Sequence, residues 1–371
     1  MKILRYSIFL LMPLILTSCW DKVELEERDY VISIGIDLED DIYHFTYNLP
    51  NLPAVTGQGE GEQNFTKIVE ASSLYEANRI FGSRSRKKLN FDHTKVLILG
   101  EDLLSNKIYF QKILDEFERN ADFARTVMVL AVEDKAEEII EMELDEETEM
   151  GLHLTGLYQN NKYDVLKTTE ITLGDLINNI HENKGNVIVP KVVIEEDEPM
   201  IDGIGIIIDY EIKDWLGRED VDKISWVTGD GKGTNVTTSF VENEEITVEI
   251  TKMETKLEFE EKNNQVLIKV NIICDGDVTA YTLNPEHSLF EEDNLEKLEE
   301  QINGILKAET KMFIEEIQTE YEVDVFNMLE KLAIQDRKLW IKWNENWDEI
   351  FSQADIEVDA EIQIRRIGVA K

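Results

Sequence analysis

The sequence has few cysteines and few basic residues, and each of these two shortages excludes a class of protein. Two cysteines in 371 residues, Cys19 and Cys274, cannot form a disulfide framework. Only 38 Lys and Arg stand against 78 Asp and Glu, a net charge of −40, so an ordinary nucleic-acid binder is excluded because such proteins present a basic surface. With 42% apolar residues the chain is not an acidic disordered tail, and its length predicts roughly two or three folded domains.

The first nineteen residues have the pattern of a secretory signal. Lys2 and Arg5 precede an apolar run at residues 8–16, which small polar residues separate from Cys19. The run is shorter than the roughly 20 apolar residues that a membrane span needs, and the polar residues 21–27 cannot extend it. The alternative, a buried helix of the mature fold, would have to begin at the initiator methionine. The pattern therefore favours a leader at residues 1–18.

The end of this leader has the form of a bacterial lipobox, Leu16-Thr17-Ser18-Cys19. In such a motif the Cys19 thiol receives a diacylglyceryl group and becomes the new N-terminus. Two long acyl chains give stable anchoring, because each buried CH₂ contributes about 0.8 kcal/mol. The sequence thus predicts a protein held on a membrane by lipid without spanning it.

The acidic balance favours the lipid as the only attachment. Loss of Lys2 and Arg5 leaves 36 basic residues against 78 acidic ones, and anionic headgroups repel such a body. We interpret the acidity as a solvated, mutually repelling surface. A dedicated cation store is the alternative.

The region after the leader alternates strand and helix patterns. Residues 31–37 and 42–49 are rich in β-branched and aromatic side chains around an acidic turn, which is typical of a β-hairpin. Ser73 and Glu76 form a capping-box pattern before a short amphipathic helix, and the glycine-rich residues 51–64 predict an exposed, mobile loop. Further elements are predicted as strands at 94–99 and 126–132 and helices at 109–118 and 172–182. We expect an α/β domain at residues 19–194.

Two further domains are predicted. The acidic segment 195–199 marks the first boundary, and alternating strands after it predict a β-rich middle domain at 195–285. Asn284-Pro285-Glu286 marks the second boundary. Beyond it, a long amphipathic helix from residue 295 to 321, shorter helices at 324–334 and 338–351 and a final strand at 356–364 predict helices packed on a sheet at 286–371. The predicted fold class is therefore α+β, with three mixed domains.

No catalytic or metal-binding signature is present. The glycine-rich segment at 230–234 departs from a phosphate loop, because Gly233 follows Lys232 and Trp226 stands where the first glycine belongs, so we predict a hairpin turn. The five histidines are scattered without zinc-ligand spacing, and a nucleophile elbow is missing. Cys274 lies in an apolar run and is predicted to be a buried, inert thiol. We expect neither an enzyme nor a cofactor.

Two features have a functional interpretation beside a structural one. Positive charge is concentrated at Arg79, Arg84, Arg86, Lys87 and Lys88, which could form a docking surface for a partner or for headgroups, or simply a solvated helix end.

Trp340, Trp343 and Trp347 share one face of a predicted helix. This stripe could bind a ligand or lie at a membrane interface, or it could pack on a sheet as core, which we favour.

The sequence resembles the Ger(x)C family, the lipoprotein C subunits of spore nutrient-germinant receptors, over essentially its whole length. The residues that carry the resemblance are Cys19-Trp20-Asp21 with Glu24, Gly35-Ile36-Asp37, the run from Phe91 to Glu101, Gly203-Ile204-Gly205, Trp215-Leu216-Gly217, Trp343 to Trp347-Asp348, and Ile364 to Gly368. The chain departs from the family pattern after Phe326, where Asn327, Met328 and Leu329 replace the frequent glycines.

This resemblance implies a non-enzymatic, three-domain subunit, lipid-anchored on the outer face of the inner spore membrane. It also implies two integral membrane partners, the A and B subunits of the receptor, and no nucleic acid. A different hypothesis is a solute-binding lipoprotein that captures the nutrient directly. Such proteins close two similar lobes around a cleft, whereas the regions predicted here are dissimilar. An anchored hydrolase is a third hypothesis, for which no residue can be named.

Overall fold

A computed structural model describes residues 28–57, 64–144, 149–164, 171–241, 244–262, 265–281, 289 and 292–367. The lipobox, residues 284–286 of the second predicted boundary and part of the predicted loop at 51–64 lie outside these residues. Within them, no helix is both long enough and apolar enough to cross a bilayer.

The first part of the chain alternates strands and helices. Its elements are β1 (Arg28–Tyr30), β2 (Ser33–Glu39), β3 (Ile42–Pro50), α1 (Leu52–Val55), β4 (Asn64–Ala71), α2 (Leu74–Arg84), β5 (Lys88–Asn90), β6 (Val96–Gly100), α3 (Glu101–Leu104), α4 (Lys107–Arg119), β7 (Met128–Val132), α5 (Ala136–Glu141), α6 (Met150–Asp164), α7 (Leu173–Glu182), β8 (Val187–Glu195), β9 (Glu198–Ile208) and β10 (Glu211–Leu216).

The remaining elements are longer. They are α8 (Arg218–Thr228), β11 (Asn235–Val241), β12 (Glu244–Lys262), β13 (Gln265–Tyr281), α9 (Glu292–Glu320), α10 (Met328–Gln335), α11 (Arg337–Trp343), a 3-10 turn (Asn344–Asn346), α12 (Trp347–Ser352) and β14 (Asp355–Ile367). Helices and strands thus mix in both parts, which confirms the predicted α+β class.

Eight strands form the first sheet, in the order β10-β9-β8-β7-β6-β2-β3-β4. Its centre, from β2 through β6 and β7 to β8, is parallel, and its outer pairs are antiparallel. Three hairpins turn on two residues that both have positive φ, as a type I′ turn requires, at 40–41, 196–197 and 209–210. The hairpin predicted around the acidic turn at 39–41 is confirmed.

Both faces of the first sheet are covered. Leu97 and Val129 pack with α2, α4 and α7 on one face, and Ile98 and Leu130 pack with α5 and α6 on the other. The central parallel strands are therefore buried on both sides, as parallel strands are in α/β proteins.

Four strands form the second sheet, in the order β11-β12-β13-β14. β14 joins β13 in parallel, although a helical segment separates them in sequence. One face packs against α8 to α12, and this core includes Ile204 and Ile206 of β9, so the two sheets share packing through one strand.

One of these strand pairings crosses a predicted domain boundary. The first predicted boundary, at 195–199, coincides with the tight turn between β8 and β9, which pair within one sheet. The division into three domains stays a prediction.

The middle region contains a helix that the sequence analysis missed. α8 begins after Gly217 and ends at Gly229, which has φ of 90° in the left-handed conformation that favours glycine at a helix C-terminus. The glycine-rich segment after it joins this helix to β11, so the predicted hairpin turn is wrong. Its Thr234 hydroxyl accepts a hydrogen bond from Trp226 Nε1 at 3.0 Å.

Candidate functional site

The predicted docking residues lie along one continuous segment from α2 to β5. Arg79 is exposed on α2, with its guanidinium 6.0 Å from the Tyr75 ring centroid, and Arg84 is the last residue of the helix. Arg86 follows in a bend, and Lys88 opens β5. We call Arg84, Arg86 and Lys88 the basic cluster. All three are exposed, and none forms an ion pair with another residue that the structure describes.

The basic cluster is attached to the first described strand. β1 pairs in parallel with β5, so that Arg28 lies opposite Lys88. Asp29 is 8% exposed; its carboxylate accepts a hydrogen bond from Ser85 Oγ at 3.2 Å and forms an ion pair with Lys87 Nζ at 3.3 Å. The charge of Lys87 is therefore paired with Asp29 of β1, and Lys87 is not counted in the basic cluster.

Sequence reasoning missed the contribution of β1. Arg28 and Asp29 stand far from Lys88 in sequence, and a pairing of three residues leaves no periodic pattern by which to find it. The Arg28 guanidinium forms an ion pair with the Asp92 carboxylate at a distance of 3.8 Å.

The tryptophan stripe is mainly core. Trp343 and Trp347 are each 3% exposed, with ring centroids 6.4 Å apart, in the cluster that covers the second sheet. This confirms the favoured interpretation for these two residues. Trp340 is partly buried and lines a cavity of about 350 Å³ between the end of α7 and helices α10 to α12.

Asp324 lies at the floor of this cavity and organises the backbone around it. Its carboxylate accepts hydrogen bonds from Trp347 Nε1 at 2.8 Å and from the N–H groups of Phe326 and Leu329 at 3.0 Å each. Burial raises the Asp324 pKa above its ordinary value. The three donors are one indole N–H and two backbone N–H groups, so the Asp324 carboxylate holds the turn that leads into α10.

A second cavity, of about 450 Å³, adjoins the first. The two cavities share Asn183, Asn186, Asp324 and Glu330. The Asn183 side chain donates to Asn327 Oδ1 at 3.2 Å across the gap, where Asn327 has φ of 55°. The two cavities are lined by both apolar and polar side chains, with acidic residues among the polar ones, and their volumes are those of a small-molecule site.

Several residues that carry the family resemblance converge on Asp37, at the carboxyl end of β2. The Asp37 carboxylate accepts hydrogen bonds from the N–H groups of Ala136 at 2.7 Å and Glu137 at 3.0 Å, so it caps α5. A Cβ on Gly100 would lie 2.0 Å from Asp37 Oδ1, which explains the glycine there. Burial raises the Asp37 pKa to about 6.

The other signature residues fasten the sheet edge. Trp215 Nε1 donates to Glu101 at 3.2 Å, and Trp215 pairs with Gly205 across β10 and β9. A Cβ on Gly205 would come within 2.7 Å of the Trp215 ring. Lys191 lies 5.9 Å from that ring centroid and forms an ion pair with Glu133. These contacts are structural, and they fill the edge where an α/β sheet often binds ligands.

Side chains suited to metal or thiol chemistry are not assembled in the described part of the chain. It contains no group of three His, Cys, Asp or Glu residues arranged to hold a metal ion. Cys274 is 3% exposed and burial raises its pKa to about 12, which confirms the predicted buried thiol.

Two family models match the chain in succession. "Spore germination protein N-terminal domain" matches residues 21–194, and "Spore germination B3/GerAC like, C-terminal" matches residues 202–368.

Curated relatives match over nearly the full length. Spore germination protein B3 of Bacillus subtilis is 24% identical over 98% of both chains. Spore germination protein KC of the same organism is 23% identical over 99% of this chain and 96% of its own. Among solved structures, the crystal structure of the GerBC protein matches with a TM-score of 0.63 and 22% identity, covering 89% of this chain and 96% of that one, and so supports the same fold.

Proposed function

This chain belongs to the Ger(x)C family of spore germination proteins, and from that membership we propose that it is the lipid-anchored C subunit of a nutrient germinant receptor. The family membership itself supports a role in spore germination. The observation that carries the finer proposal is the match of nearly the whole chain to a relative over nearly its whole length, and the lipobox pattern at residues 16–19 of this sequence supports the anchor.

The proposed role is non-catalytic. The residues of the family resemblance around Asp37 and Trp215 make structural hydrogen bonds. In the cavity, the Asp324 carboxylate accepts a hydrogen bond from the backbone N–H of Phe326. A subunit of this kind acts by presenting folded surfaces to the integral membrane A and B subunits while lipid on Cys19 holds it at the outer face of the inner spore membrane.

Replacement of Cys19 by Ala tests this proposal. We expect Cys19→Ala to move the chain from the spore membrane fraction to the soluble fraction and to abolish nutrient-triggered germination, because the two acyl chains supply the attachment. Membrane fractionation, mass spectrometry of the mature terminus and germination assays measure the outcome.

Cys274→Ala is the matched control. It removes the other cysteine from a buried position and is expected to leave both membrane retention and germination intact. A Cys19→Ala chain that stays in the membrane and supports normal germination would contradict the proposal.

Direct nutrient capture is the second candidate function, and the two adjoining cavities favour it. A nutrient that binds the native cleft must raise the melting temperature, by mass action. Glu330 is exposed and lines both cavities, so Glu330→Gln should remove such a rise while leaving the fold intact. Thermal-shift titration of both forms with amino acids and sugars decides between capture and assembly, since an assembly subunit shows no nutrient-dependent shift.

A further inference from the structure

We propose that the basic cluster, Arg84, Arg86 and Lys88, faces the anionic lipid headgroups of the membrane and thereby sets which side of the acidic body is turned toward the bilayer. The inference rests on the proposed lipid anchor. It goes beyond anchoring, because a flexible tether alone leaves every orientation open.

The first step is the reach of the tether. Cys19 and Arg28 are nine positions apart in the sequence. An extended chain spans at most about 3.6 Å per residue, so Arg28 can lie no more than roughly 30 Å from the lipid attached to Cys19. Among the described residues, Arg28 at the start of β1 is therefore the one whose distance from the anchor the tether limits most tightly.

The second step is the rigid link from β1 to the basic cluster. β1 pairs with β5, and Asp29 joins it to Ser85 and Lys87. These contacts lie within the same segment that carries Arg84, Arg86 and Lys88. The tether that limits the distance of β1 from the bilayer therefore limits the distance of this segment as well.

The third step is charge complementarity. The mature chain is strongly acidic, and an anionic surface repels it. Within it, the basic cluster presents three exposed cations that no described acidic side chain neutralises. Each basic residue close to an anionic bilayer shifts a binding equilibrium about five-fold, and the tether already supplies a high local concentration. The basic cluster therefore needs only to favour one orientation of a body that the lipid already holds at the membrane.

The experiment measures orientation in the full lipoprotein reconstituted into nanodiscs of phosphatidylcholine, with or without phosphatidylglycerol. A fluorophore is placed at Gly82 on α2 or, as the matched control, at Gly304 on α9, since a Cβ at either glycine meets nothing within 4 Å. Energy transfer to a headgroup-labelled lipid reports the distance. We expect phosphatidylglycerol to bring the position-82 label closer and high salt to reverse the effect, because the Debye length falls to about 3 Å at 1 M.

Charge reversal provides the decisive comparison. Arg84→Glu, Arg86→Glu and Lys88→Glu together should reduce the bilayer-facing population roughly a hundred-fold or more. The control reverses Lys256, Lys307 and Lys311, three exposed lysines that pair with acidic residues elsewhere, and changes the net charge equally. The control is expected to leave transfer from position 82 unchanged.

Several results would overturn the inference. Equal transfer in the two kinds of nanodisc would exclude anionic lipid. If charge reversal changes the energy transfer equally in both kinds of nanodisc, the basic cluster interacts with the acidic residues 21–27 of the chain rather than with anionic lipid. Lost germination with unchanged orientation would assign it to an acidic partner protein.

Failure of the anchor itself is seen separately, as a chain absent from the nanodiscs with a free Cys19 thiol. Coupling that thiol to a maleimide lipid then allows the same orientation measurement.

Discussion

The two sheets solve the same burial problem in different ways. In the first, every residue of the central strands β6 and β7 is buried, because helices cover both faces. In the second, β14 alternates buried and exposed residues along most of its length, because helices cover a single face. A continuous apolar run and a strict alternation thus both specify strands, and the number of covered faces decides which pattern occurs.

The difference also distributes the charge. The uncovered face of β14 carries Glu357, Asp359 and Glu361, whereas β6 and β7 carry no charged residue. The second sheet therefore contributes acidity to the surface through its uncovered face, whereas the two strands that are buried on both faces contribute none. Alanine substitutions at neighbouring positions of one strand in each sheet test this difference in covering.

The largest expected effect comes from alanine substitutions at adjacent residues. Leu97→Ala and Ile98→Ala should each lower the free energy of unfolding by about 2–5 kcal/mol, because both side chains are buried, on opposite faces of β6. In β14, Ile356→Ala should have a similar effect and Glu357→Ala a change within about 0.5 kcal/mol. Denaturant unfolding measures all four. Equal effects at 356 and 357 would contradict one-sided covering.

An intermediate effect is expected at the cleft between the two regions. Asp324→Ala leaves the Trp347 indole N–H and two backbone N–H groups without an acceptor, so we expect a loss of about 3 kcal/mol. Trp347→Phe removes one donor and keeps the acceptor, and should cost less. Near-ultraviolet circular dichroism and urea unfolding report both changes. A harmless Asp324→Ala would show that Asp324 does not hold this turn.

The effect that is smallest per pH unit is a pH dependence, and it is expected in both regions. Burial raises the pKa values of Asp37, at the edge of the first sheet, and Asp222, on α8, to about 6. The native state therefore binds more protons than the unfolded chain between about pH 4 and 6, and the free energy of unfolding falls as pH rises through this window. One such group contributes at most about 1.4 kcal/mol per pH unit.

Neutral isosteres separate the two contributions. Asp37→Asn and Asp222→Asn should each flatten the pH profile between about pH 4 and 6, as measured by urea unfolding across that range. An unchanged slope in both would contradict the raised pKa values.

Much of the fold could be predicted because its signals are local. The acidic turn at 40–41 and the alternation along β14 each depend on neighbouring residues. The capping pattern before α2 is also local, although the structure modifies it: the Ser73 hydroxyl accepts from the Glu76 N–H, while the Glu76 carboxylate binds Ser72.

The missed features depend on distant partners. α8 is short and lies between strands, so its buried Val221 and Val227 resemble part of a β-rich region. The pairing of β1 with β5, which completes the candidate docking surface, involves residues that only the folded sheet brings together. The Asp37 cap likewise joins the first hairpin to a helix far along the chain. Local patterns contain no information about such contacts.

The position of β14 has a consequence for biosynthesis. This strand is translated long after β13, yet it supplies the hydrogen bonds along most of one edge of β13. During synthesis, the partly made sheet presents an open edge that can pair with other chains. A premature stop before Asp355 would make that exposure permanent, so truncated products should aggregate or be degraded rather than accumulate as partly active protein.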